Sequence, residues 1–77
     1  MTGDARPRKR SFRIRGHATS ISLEPEFWDA LQEAAIIRGV TTAALVATID
    51  GTRGATNLSS AVRVWLLRFV RAQSGAA

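Results

Sequence analysis

Apolar and polar positions change rhythm twice along the chain, and each change marks an element. From Ser11 the pattern has period two: Phe12 and Ile14 alternate with Arg13 and Arg15. Gly16 and His17 interrupt it, and it resumes with Thr19, Ile21 and Leu23 on one side and Ala18, Ser20 and Ser22 on the other. Period two with β-branched residues predicts a strand, strongest over 18–23, with Gly16 as a bulge or bend. At Glu24-Pro25 the spacing becomes helical. Pro25 suits a first turn, where its missing N–H is no loss, and Glu24, Glu26 and Asp29 suit the positive end of a helix dipole. Phe27, Leu31, Ala34, Ala35 and Arg38 follow i, i+4, i+7 spacing, with Trp28 and Ile36 beside them. Gly39 is placed as a C-cap, so a helix is predicted over 25–38.

A second helix follows. Thr41 is its expected N-cap, Val40 and Leu45 form a hydrophobic staple, and Ala43 to Ile49 continue it to a stop near Asp50-Gly51. The stretch 51–56, with two glycines, reads as a loop. Asn57, or Ser59, caps a third helix over about 58–72, with Leu58, Val62, Trp65, Leu66, Phe69 and Val70 as a broad apolar stripe. Residues 1–10 read as a flexible basic arm, 11–73 as the domain and 74–77 as a frayed tail. The expected shared core is Phe27, Leu31, Leu45, Ile49, Val62, Trp65, Leu66 and Phe69. One strand cannot make a stable sheet by itself. With no second strong strand after it, its simplest partner is the same strand of a second copy. The expectation is a mostly α chain with one N-terminal strand, paired across a homodimer into a two-stranded antiparallel ribbon.

Length supports that reading. A chain of 77 residues makes one domain at most and buries too little surface to be comfortable alone, which favours oligomers. Charge narrows the partner. Residues 1–15 carry six Arg/Lys and one Asp, 16–50 one Arg against five acids, and 51–77 four Arg and no acid. Basic ends around an acidic middle point to a polyanion. Charge alone leaves duplex DNA, RNA and an acidic membrane open. No apolar run approaches the roughly 18 residues of a membrane span, and no signal peptide follows the basic start. The expected location is cytoplasmic, with no membrane partner.

Catalytic chemistry is hard to find. The chain has no Cys, no Tyr and one His, so no zinc-thiolate site and no thiol nucleophile can be built, and convergent catalytic groups are missing. The acids crowd a helix start, where the dipole accounts for them. Gly51 and Gly54 lack the leading strand and the Lys-Ser/Thr of a phosphate loop. Trp28 and Trp65 lie on helical stripes and read as core. The expectation is a non-enzyme with no cofactor and no metal.

Binding chemistry is easier to find. Outward Ala18, Ser20 and Ser22 on a two-stranded ribbon would meet the DNA major groove, which admits such a ribbon and where short hydroxyls can donate or accept at base edges. Arg13 and Arg15 would add base or flanking contacts, and Arg6, Arg8, Lys9 and Arg10 would attract phosphate. The open N–H groups of the second helix, with the Thr41 and Thr42 hydroxyls, would hold a phosphate.

The order strand, helix, Gly turn and Thr-opened helix in "TSISLEPEFWDALQEAAIIRGVTTAALV" resembles the ribbon-helix-helix DNA-binding proteins of the Arc, CopG and MetJ type, over about residues 18–50. With "RSFRIRGHATSISLEPEFWDAL", the longer form is similar to a subgroup of small, mostly uncharacterised bacterial proteins. The resemblance implies an intertwined homodimer with an extra third helix and a role in transcription control, of repressor type, or as a DNA-binding antitoxin. It implies base reading by Ala18, Ser20 and Ser22 and phosphate binding at Thr41 and Thr42. "NLSSAVRVWLLRFV" also resembles the opening of the family's second helix, so two helix starts are candidates for the phosphate. The rival expectation is an antitoxin-like or adaptor module that binds another protein through 51–56, the third helix, Val64 and Leu67. An arginine-rich RNA-binding arm is a third, for which only Phe12 is placed to stack on a base.

Overall fold

The computed structural model describes residues 6–74; the first half of the expected arm (1–5) and residues 75–77 of the expected tail lie outside the described residues. Two strands, β1 (Arg8–Ile14) and β2 (His17–Leu23), are followed by three helices: α1 (Pro25–Arg38), α2 (Thr42–Thr52) and α3 (Leu58–Ser74).

The first finding corrects the expectation of one strand. β2 finds its partner inside the chain: β1 pairs with it antiparallel, from Arg8 opposite Leu23 to Ile14 opposite His17. The connection is the two-residue loop Arg15-Gly16, with φ of 53° and 82°. Positive φ at both positions is the type I′ turn, whose twist matches that of the flanking strands. Gly16 is therefore a turn residue and not a bulge. Arg8, Lys9 and Arg10, expected in a free arm, belong to β1. Their charge hid them: an Arg/Lys run reads as solvated chain, but backbone pairing holds it whatever its side chains are.

Arg15 is an L-residue in the left-handed region, which costs about 1–2 kcal/mol. Asn tolerates that region and Asn-Gly is the favoured pair for this turn. Arg15→Asn is expected to stabilise by about 0.5–1 kcal/mol, a rise of about 2–8 °C in Tm for a domain of this size. A thermal melt showing a lower Tm would mean that the Arg15 side chain contributes more than the backbone strain removes.

α1 has the predicted bounds. Pro25 occupies the first turn, and Gly39, at φ 72°, donates its N–H to the carbonyls of Ala35 and Ile36. Thr41 caps α2, its Oγ1 accepting from the Ala44 N–H at 3.0 Å. Asn57 caps α3, its side-chain oxygen accepting from the Ser60 N–H at 3.3 Å. α1 and α2 turn through 97° at their break, so α2 runs nearly perpendicular to α1, and α3 docks on the ribbon at Ser22. No single helix among the described residues is long and apolar enough to cross a membrane.

The core lies between one face of the ribbon and the three helices. Ile14, Ile21 and Leu23 come from the strands, Trp28, Leu31, Ala34 and Ala35 from α1, Leu45, Val46 and Ile49 from α2, and Leu58, Val62 and Leu66 from α3. Five of the eight expected core residues are buried, and Phe27, Trp65 and Phe69 pack partly buried against them. Trp28, not Phe27, takes the deepest aromatic position. Its ring lies 6.0 Å from that of Phe12, and its indole N–H donates to the Arg8 carbonyl at 3.0 Å. Arg10 lays its guanidinium 4.8 Å from the same ring.

Candidate nucleic-acid interface

Side chains in a strand alternate between faces, and residues opposite each other across a ladder share one. The register therefore sorts the ribbon without ambiguity. Arg8/Leu23, Arg10/Ile21, Phe12/Thr19 and Ile14/His17 lie on the helix-facing side, and Lys9/Ser22, Ser11/Ser20 and Arg13/Ala18 on the other. On that outer face every residue is exposed except half-buried Ser22. The Ser11 and Ser20 hydroxyls are 3.4 Å apart. Arg13 reaches the Gly16 carbonyl at 3.4 Å, an exposed contact at the ribbon tip.

The outer face is thus a strip of hydroxyls and small side chains with two cations, Lys9 and Arg13, both on β1. It brings together Ala18, Ser20, Ser22 and Arg13, as expected, and adds Lys9 and Ser11. Ser11 takes its place on this face through its pairing with Ser20, which local sequence pattern does not reveal. Lys9 was expected as a phosphate contact from a free arm; it stands instead on the ribbon.

Other candidates are not brought to this face. Arg15 sits in the turn and leans toward α2: a β-carbon on Gly51 would meet its Nη2 at 3.0 Å. Arg8 and Arg10 point to the helix side, and Arg10 is occupied by Trp28. Arg6 lies just ahead of β1, is exposed, and is already engaged. Thr41 and Thr42 follow the far end of α1, whose 14 residues carry the chain about 20 Å from the end of β2. The Thr41 hydroxyl is also committed to its cap.

The helix start that adjoins the ribbon is that of α3. The Ser22 N–H donates to Ser59 Oγ at 3.2 Å, and Arg63 Nη2 donates to the Ser22 carbonyl at 3.3 Å. Arg63 Nε also donates to Glu24 Oε1 at 3.0 Å. Of the two helix openings the sequence offered, this one adjoins the ribbon. The contacts span about forty residues of sequence, which is why local pattern could not choose between them.

Glu24 is held below its ordinary carboxylate value of 4.5, first by a hydrogen bond from its backbone N–H and then by the Arg63 guanidinium, against a smaller desolvation. A lowered folded-state value means the contribution to stability is present above the ordinary value and is lost as pH falls through the folded one. Glu24→Gln should flatten the acid limb of a stability-against-pH curve followed by urea midpoints, and lower stability at neutral pH toward the wild-type value at acid pH. An unaltered acid limb would show that Glu24 does not titrate with folding.

Among the described residues no group of three or more His, Asp or Glu could hold a metal. Two shallow grooves of about 250 and 270 Å3 flank α3; one is lined by Arg53, Val64, Trp65 and Arg68, the other by Glu33, Ile37, Phe69 and Val70.

A two-stranded ribbon with a polar, basic outer face and a helical backing has the form of a groove-reading module. The family model described as ribbon-helix-helix domain matches residues 7–70, and the chain belongs to that family. The solved structure of an uncharacterized protein from Bordetella pertussis Tohama I is similar, with 33% sequence identity, a TM-score of 0.77 and coverage of 92% of this chain. This chain spans 61% of the length of that one. No curated protein matches. The ribbon-helix-helix domain is a non-enzymatic fold of DNA-binding regulators, and its members typically bind DNA as dimers.

Proposed function

We propose that this protein is a sequence-specific double-stranded DNA-binding regulator of repressor type that acts as a homodimer in the cytoplasm. The observation that carries the reading is the outer ribbon face. Its width suits a major groove, its Ser11, Ser20 and Ser22 hydroxyls can donate to or accept from base edges, and Lys9 and Arg13 supply charge where phosphate or guanine would lie. Ser20 and Ser22 are the central base contacts, with Ala18 offering small apolar contact. Ser59 and the opening of α3, beside Ser22, take the phosphate role first expected at Thr41 and Thr42. Family habit supports a dimer, as do Val64, Leu67 and Val70, large apolar side chains left half-exposed along α3.

The test is a titration of duplex DNA across a salt series. Taking away one cation that neutralises a phosphate lowers the slope of log K against log[salt] by about 0.9. Lys9→Gln with Arg13→Gln should therefore reduce the slope by about 2 and weaken binding to every duplex. An unchanged slope would remove both side chains from the interface. A shortened arm is a poorer test, because a cut after residue 10 also removes three of the seven residues of β1.

The same exposed row of Val64, Leu67 and Val70 favours a second reading, an antitoxin-like or adaptor module that grips another protein through α3. Salt separates the two: counterion release makes duplex binding fall steeply with it, and an apolar interface is far less sensitive.

A further inference from the structure

We propose that Arg63 is a positioning residue for sequence recognition: it sets the end of β2 against the openings of α1 and α3, so that the Ser22 hydroxyl meets a base edge at one distance and angle. This rests on the proposed DNA-binding reading for its purpose. Its geometry rests on the contacts of α3 with β2 and α1.

One guanidinium joins three elements. Its Nη2 donates to the Ser22 carbonyl at 3.3 Å and its Nε to Glu24 Oε1 at 3.0 Å, and its Cζ lies 5.8 Å from the centre of the Phe27 ring. Ser22 is the last residue but one of β2, Glu24 is the N-cap of α1, and Phe27 stands in the first turn of that helix. The Ser22 N–H goes to Ser59 Oγ at 3.2 Å, in the first turn of α3. Both backbone groups of Ser22 are therefore held by α3, through side chains four residues apart, which share one face of a helix. The Ser22 Cα, and the hydroxyl it carries, lie between these two fixed points.

A base contact from serine needs such a hold. Its Oγ stands one bond beyond Cβ, so the backbone aims it, and hydrogen bonds weaken steeply when misaligned. A planar guanidinium fixes two acceptors at once in a set geometry, which an ammonium cannot copy. Ser59 belongs to the same unit. Its oxygen accepts from Ser22, and its own O–H remains to donate, toward phosphate in the role proposed for the opening of α3. The phosphate contact and the Ser22 base contact would then keep one register.

Arg63 differs from the other arginines of its helix. Arg68 and Arg71 are exposed and make no hydrogen bond or ion pair among the described residues. The Arg63 side chain is 31% exposed and committed to Glu24 and Ser22. An arginine that neutralises a phosphate adds about 0.9 to the salt slope; one that only positions a strand adds nothing to it.

The test starts from a duplex selected by the wild-type protein. The base pair that Ser22 reads is the one whose replacement no longer matters to Ser22→Ala. Arg63→Lys keeps the charge and loses the fork; discrimination at that pair should fall by about tenfold and discrimination at the other pairs should stay. Arg63→Gln should show the same loss with an unchanged salt slope on a scrambled duplex. Glu24→Gln removes the charged anchor and leaves Arg63 in place, so it should lose part of the same discrimination, and it serves should the Arg63 variants not fold. Wild-type discrimination at that pair in folded Arg63→Lys, or in Glu24→Gln if that is the only folded variant, would overturn the proposal. So would an equal loss at every pair, a slope lowered by about 0.9 in Arg63→Gln, or a Ser22→Ala protein with wild-type discrimination throughout. A wild-type protein that selects no site overturns the proposed function, and this inference with it; a selected site indifferent to Arg63 overturns the inference alone.

Discussion

Trp28→Ala should unfold the protein or bring it to the edge of unfolding. Trp28 is the side chain that ties the ribbon to the helices: it is buried, its N–H satisfies the Arg8 carbonyl, and its ring contacts both Phe12 and Arg10. Truncating a buried Trp to Ala costs about 3–5 kcal/mol through lost transfer energy and the cavity left behind. Small domains hold only about 5–15 kcal/mol in total, with the shortest at the low end. Trp28→Phe keeps most of the apolar volume and loses the indole N–H bond to the Arg8 carbonyl, a net cost of about 0.5–1.5 kcal/mol. The two variants should therefore rank in Tm as wild type, Phe, Ala. The Phe variant should retain the hairpin, read as protection of the β1 amides from exchange. A Trp28→Ala protein melting within a degree or two of wild type would mean that the ribbon is not held from below by this residue.

The second large effect is on binding and leaves the fold alone. Ser20 is exposed at the centre of the outer face, and its side chain supports nothing in the core. Ser20→Glu places a carboxylate where the account puts base edges, between two rows of phosphates. Like-charge juxtaposition across an interface costs several kcal/mol, so affinity for a selected duplex should fall by about a hundredfold or more. Gln73→Glu, which adds the same charge on exposed α3, controls for net charge and should cost far less. Equal losses in the two variants would mean that only the overall field matters. No loss in Ser20→Glu would mean that DNA does not meet this face.

The helices were legible in the sequence because their ends are chemically marked. Pro25 and Gly39 bracket α1, and Thr41 and Asn57 cap the two that follow, so the boundaries rest on backbone rules that act within a few residues. The division of β2 into Ile21 and Leu23 inside, and Ala18, Ser20 and Ser22 outside, was equally plain from period two. β1 was half legible. Phe12 and Ile14 showed the alternation, but Arg8 to Arg10 carry no apolar signal, and Arg15-Gly16 is not a pair that announces a hairpin as Asn-Gly does. The visible clue was spacing: two stretches of equal length separated by two residues, one with glycine. The choice of Trp28 over Phe27 for the deep position depends on which side of α1 the ribbon covers, a fact of tertiary contact. The same limit applies to the proposed phosphate site. Thr41 and Asn57 open helices equally well, and only the docking of Ser59 and Arg63 on Ser22 brings α3, not α2, to the ribbon. Ile36, placed beside the apolar stripe, is 77% exposed, as its position beyond that stripe allows.

The central claim is that the outer face of the ribbon reads base sequence in duplex DNA. Selecting bound duplexes from a random pool, with purified protein at near-physiological salt and excess competitor DNA, tests it most directly. The account predicts enrichment of a short site, lost when Ser20 carries a carboxylate. Weak, salt-sensitive binding to every duplex with no enriched site would contradict it, and would leave the ribbon as a source of charge only.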